Sequence, residues 1–161
     1  MDRKNLLQIS IFDYIKNDGI KEISQENLEK ISDYKWATKD TVVYTIEDDY
    51  LGLEFTYFLD GTLIFQSLSF FKYELSIRKF LDCMQKFNLA FKYETFILDE
   101  DELIFIFENG SRVHFHYDKN NYFLKKIYSD SYFSSSNKNL IENTMENITN
   151  KLDTLIGKFD I

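Results

Sequence analysis

The sequence predicts an α+β protein: two N-terminal helices, an antiparallel sheet built from two hairpin-containing blocks separated by a helix, and a long C-terminal helix packed on the sheet. Three observations carry this. Aromatics make up 17% of the chain, mostly 16 Phe and 11 Tyr, a wealth that suits a β-rich core. The apolar spacing switches between runs of period two and helical steps of three and four. Proline is absent and only five glycines occur, so the turns fall to Asn, Asp and a few X-Gly pairs. A chain of 161 residues suits a single domain, and no linker interrupts it.

Residues 3–17 read as the first helix, with Leu7, Ile11, Tyr14 and Ile15 on one face and "NDG" at 17–19 as the stop. "SQENLEKIS" opens on Ser24, a good N-cap, and Leu28 and Ile31 give the second helix its apolar face. From Trp36 the period becomes that of strands. "TVVYTI" (41–46) is one, and "LGLEFTYFLDGTLIFQSLSF" (51–70) is a hairpin turning tightly at Asp60-Gly61. "YELSIRKFLDCMQKFN" (73–88) is an amphipathic helix through Ile77, Phe80, Leu81, Met84 and Phe87. Strand-like runs return at 91–98, in "ELIFIFENGSRVHFHYD" as a hairpin turning at Asn109-Gly110, and at 121–128. A serine-rich connector leads to a final helix of about 22 residues, whose Ile141, Met145, Ile148, Leu152, Leu155 and Phe159 form one seam. "EDDYLGLEFTYFLDGT" and "DEDELIFIFENGS" share an order of acidic turn, aromatic strand, X-Gly turn and hydroxyl residue. An old β-β-β-α duplication or convergence on hairpin chemistry would each produce that echo.

Composition excludes several classes. The net charge is −8, from 27 acidic and 19 basic residues. That argues against nucleic acid as a direct partner, because phosphate binding needs clustered Lys and Arg, and it suits a basic protein partner. No apolar run approaches the roughly 20 residues of a membrane helix, and "MDRKNLLQISIFDYIKNDG" lacks the shape of a signal peptide. The one cysteine, Cys83, excludes an internal disulfide and fits a reducing compartment. The expectation is a soluble cytoplasmic protein. Phosphate-binding glycine loops, a nucleophile elbow and a C-x-x-C pair are absent from the sequence, so no enzyme activity and no cofactor are expected.

Candidate binding residues fall into two groups. Glu47, Asp48 and Asp49 form one acidic turn, and Asp99, Glu100, Asp101 and Glu102 form another. Both lack the spacing of a calcium loop. They read as solvated turns that guard strand edges, or as an acidic patch for a basic partner. The second group is His114 and His116, the only two histidines. A two-residue turn at Asn109-Gly110 sets Phe105 opposite His114 and Leu103 opposite His116, on the more polar face, and leaves Ile104, Ile106, Val113 and Phe115 facing the core. A zinc site needs a third and usually a fourth ligand. Asp118 or Asp101 supplies at most one, so no metal is expected. The face around Phe105, His114 and His116 remains a candidate binding surface, as do the polar-side aromatics Phe107 and Tyr122 if no helix covers them.

The whole chain, and phrases such as "FENGSRVHFHYDKNNYFLKKIY", resemble the immunity proteins of bacterial polymorphic toxin systems, including contact-dependent growth inhibition. The resemblance implies a cognate toxin domain, basic and often a nuclease, as sole partner. Its active site would be occluded after electrostatic steering by Asp48, Asp49, Asp99, Glu100, Asp101 and Glu102. Residues 36–159, with "FLDCMQKFNLAFKYETFILDEDELIFIF", are also similar in element order to type III secretion chaperones. That resemblance implies a dimer that binds an effector segment. The oligomeric state is left open by the sequence.

Overall fold

The computed structural model describes residues 2–86, 93–99, 101–107 and 111–129, the stretch 93–99 by its backbone alone. Three short helices come first: α1 (Arg3–Leu7), α2 (Ile11–Lys16) and α3 (Gln25–Ile31). The first expected helix is thus two. Ser10 sits in extended backbone and its Oγ accepts from the Asp13 N–H, so it caps a new helix instead of continuing the old one. Ser24 caps α3 as expected, accepting from the Asn27 N–H at 3.1 Å. Four strands follow: β1 (Tyr34–Ala37), β2 (Thr41–Glu47), β3 (Leu51–Phe58) and β4 (Leu63–Phe70). Helix α4 (Ile77–Lys86) leads to β5 (Tyr93–Asp99), β6 (Glu102–Phe107), β7 (Arg112–Asp118) and β8 (Asn121–Ser129).

The strands form one antiparallel sheet in the order β1-β2-β3-β4-β8-β7-β6-β5. Each half is a four-strand meander preceded by helix, and the halves join where β4 pairs with β8, Leu68 opposite Ile127. This corrects the expected architecture. The described chain is mostly one continuous sheet with a few short helices, and the helix that follows the sheet's start has only ten residues. The two hairpin blocks share that one sheet. The expected final helix and its seam lie outside the described residues. Among those residues, no helix is long and apolar enough to cross a membrane.

All described helices lie on one face. Leu6, Tyr14, Ile15, Leu28, Phe80 and Met84 pack there against Tyr44, Leu53, Phe55, Leu68, Phe105, Phe115 and Ile127. Phe80 meets Phe115 edge-on at 5.2 Å, and Phe115 meets Phe105 at the same distance.

The helices are tied to the sheet at one polar point. Helix α2 ends with the Gly19 N–H bonded to the Tyr14 carbonyl and the Asp18 N–H to that of Ile15, the Schellman pattern, with Asp18 and Gly19 both at positive φ. The turn lands on the middle of the sheet. Buried Gln66 of β4 accepts from the Ile20 N–H at 2.8 Å and donates to the Ile20 carbonyl at 3.0 Å. Ser111, the residue just before β7, donates to the Asp18 carboxylate, and Ser129 of β8 donates to the Asp18 carbonyl. Strands β4 and β8, one from each half, and the residue that leads into β7 therefore hold one helix terminus.

Candidate functional site

The two hairpins turn differently from the expectation. At Asp60-Gly61 the Phe58 N–H bonds the Thr62 carbonyl, the loop spans 59–61, and Gly61 takes φ 90°. This is the three-residue hairpin with glycine in the left-handed position. Likewise the Phe107 N–H bonds the Ser111 carbonyl at 2.9 Å, which leaves three residues between them in place of two. Register moves by one: Phe105 pairs with Val113, Ile104 with His114, and Glu102 with His116. A one-residue slip reverses every side chain of a strand. Phe105, Leu103 and Phe107 therefore face the core, fully or nearly fully buried. Phe105 is thereby removed from the candidate binding face, and Phe107 and Tyr122 are also in the core.

The histidines do share the face away from the helices, with Glu102 as their companion. Glu102 accepts from Lys125 Nζ at 2.8 Å on the same oxygen, Oε1, that lies 2.9 Å from His116 Nδ1. Its other oxygen, Oε2, is buried and has no hydrogen-bond partner among the described residues. Glu102 is only 13% exposed, so it is an internal counter-ion and not a member of an acidic surface turn. His116 also packs on Tyr73, ring centroids 5.3 Å apart, and His114 packs on Tyr128 at 4.8 Å. Burial, with the Arg112 charge next in weight, lowers the His114 pKa to about 4. Cross-strand pairing with β8 puts Arg112 opposite Tyr128 and His114 opposite Lys126. The face is thus locally basic, on an acidic protein.

This has a consequence for stability. The unfolded His114 titrates near 6.5 and the folded one near 4. Between those values the unfolded chain holds the extra proton, so this group's contribution is full above pH 6.5 and declines as pH falls toward 4. The slope is at most about 1.4 kcal/mol per pH unit. Urea unfolding of wild type and His114→Phe at pH 7.5 and 5.0 is expected to show a smaller acid loss in the variant. Equal losses would mean that His114 does not titrate in this way.

Of the other acidic residues, Asp48, Asp49 and Asp101 lie in turns, while Glu47 ends β2. Asp48 accepts from the Tyr50 and Leu51 N–H groups at 2.8 Å each, which commits its carboxylate to shaping the β2–β3 turn. Asp49 and Asp101 are exposed. Asp99 closes β5 opposite Glu102 by its backbone, and Glu100 lies outside the described residues. Strands β3, β8 and β6 run in one direction, because each neighbouring pair between them is antiparallel. The turns that open β3 and β6 are therefore at the same end of the sheet, five strand spacings or roughly 24 Å apart. Among the described residues no group of three or more His, Cys, Asp or Glu side chains is placed to hold a metal ion. Cys83 is a partly exposed free thiol on α4.

Sequence reasoning missed Lys125, the partner of Glu102, and Tyr73. The doubled lysine in "FLKKIY" was visible, but only the strand order brings β8 beside β7 and hence near Glu102. No known protein family, no curated protein and no solved structure matches this chain.

Proposed function

We propose that the chain is a non-catalytic acidic binding protein, an immunity protein that neutralises a cognate basic toxin domain in the cytoplasm by occluding its active site. The observation that supports this best is the placement of both acidic turns at one end of one sheet, on a chain of net charge −8. Asp49 and Asp101 steer a positively charged cleft toward that end, and Asp48 fixes the shape of its turn. The carboxylate beside the histidines does not favour acid–base chemistry, because Glu102 is already shared between Lys125 and His116. His116, at the Glu102 end of β7 and partly exposed, lies toward the same rim of the sheet.

The test is association rate against salt, using the product of a toxin gene adjacent to this one. Rim charges act through a field that salt screens over about 8 Å at physiological ionic strength. Reversing Asp49 and Asp101 to lysine is expected to slow association roughly tenfold at low salt and to flatten its salt dependence. Folding should be nearly untouched, since exposed charges contribute little to it. Equal rates and slopes would remove these turns from the interface.

A second reading has one observation in its favour. Strand β1 is an edge of the described sheet, its four residues are all exposed, and Tyr34 and Trp36 lie on one face of it. Such an edge suits addition of an extended effector segment to a chaperone-like dimer. A dimeric mass in solution without partner favours that reading, and a monomeric mass favours the first.

A further inference from the structure

Successive residues of a strand normally point to opposite faces, yet Lys125 and Lys126 line the same cavity. The cause is a bulge. Opposite β7 the register passes from His114–Lys126 directly to Phe115–Leu124, which leaves Lys125 as the extra residue of β8. Bulges redirect side chains in this way and commonly occur beside functional sites. The cavity, about 340 Å³, is completed by Ser69, Phe70, Phe71 and Tyr73, a size at the lower end of small-molecule sites.

The two ammonium groups differ in state. Lys125 is held by Glu102 at 2.8 Å. Lys126 has no carboxylate partner among the described residues and lies over the Tyr128 ring, 4.8 Å from its centroid. Ser69 brings a hydroxyl, and Phe71 and Tyr73 are exposed flat walls, 50% and 37% accessible. Phe71 has its place fixed by Gly52, where any Cβ would stand 2.8 Å from the ring. Tyr73 is fixed by its stacking on His116.

We propose that this pocket binds an anionic head group, carboxylate or phosphate, carried on a flat apolar body. Lys126 supplies the uncompensated charge, Lys125 and Ser69 supply further donors, and the aromatic walls take the body. The site is independent of the acidic turns and of any toxin, so the protein alone suffices to test it. Phenyl phosphate, benzoate and inorganic phosphate are each titrated into the full-length chain while backbone amide resonances are followed. Saturable shifts centred on Ser69, Tyr73, Lys125 and Lys126 are expected for one or both aromatic probes, tighter than for inorganic phosphate. Which aromatic probe binds more tightly identifies the head group. Lys126→Met is expected to weaken binding tenfold or more with little change in the thermal midpoint, because among the described residues Lys126 has no ion pair to lose and gives up only its contact with the Tyr128 ring. Tyr73→Leu should weaken the aromatic probes alone. Absence of saturable shifts at millimolar probe, or unchanged affinity in Lys126→Met, overturns the proposal.

Discussion

Phe105→Ala is expected to cost about 3–5 kcal/mol in urea unfolding, while Ile106→Ala costs less than half as much. Phe105 is fully buried and packs its ring on Phe115, which in turn meets Phe80 of α4. The truncation removes a transfer contribution and leaves a cavity at the point where the second meander meets its helix. Ile106 is only partly buried and lies on the face away from the helices, opposite Arg112. The comparison is a test of register. If the hairpin turned on two residues, Ile106 would occupy the core and the order of the two costs would reverse.

Gln66→Leu is expected to cost about 2–5 kcal/mol, for a different reason. The leucine fits the volume, but the Ile20 N–H and carbonyl, both served by the Gln66 amide, lose their partners in a buried place. Each such group costs about 1–3 kcal/mol when left unmade. Gln66→Glu should be no better near neutral pH, because a carboxylate can accept from the Ile20 N–H but cannot donate to its carbonyl. Gly19→Ala should be similarly damaging. Gly19 has φ 95°, and a Cβ there would stand 2.5 Å from the Gln66 amide and 2.8 Å from Ser129 Oγ. Thermal unfolding of the three variants should show all of them well below wild type, and a midpoint for Gln66→Leu within 2 °C of wild type would contradict the accounting of those two bonds.

The strands were legible because most of them alternate. "RVHFHYD" reads unambiguously, apolar in and polar out, and β7 does place His114 and His116 together on the outer face. "ELIFIF" does not alternate, and every residue after Glu102 is apolar. Its orientation rested entirely on the assumed length of the Asn109-Gly110 turn, and one extra loop residue reversed it. Strand β1 was missed because "YKWA" is short and exposed at an edge, with no buried side to impose a period. The break between α1 and α2 was hidden under apolar spacing that suits one helix or two. The β4–β8 pairing joins residues about sixty apart in sequence, and no local pattern encodes it. Of the two acidic runs, Asp48, Asp49 and Asp101 lie in turns, while Glu47, Asp99 and Glu102 belong to the flanking strands. That Glu102 points to the histidines could not be known without the strand order.

The β4–β8 junction also orders events in time. As the chain emerges from the ribosome, α1–α3 and β1–β4 can assemble early, since their contacts are local. Strand β4 then waits as an open edge until β8, the last strand of the second half, has been made and threaded in beside it. The turn at Asp18 and Gly19 waits with it, because Ser111 and Ser129 arrive only with that second half. Such distant pairing slows closure, and for that interval the nascent protein carries an unpaired strand available to neighbouring chains. The step that completes the sheet is therefore also the one that ends its exposure to aggregation through β4.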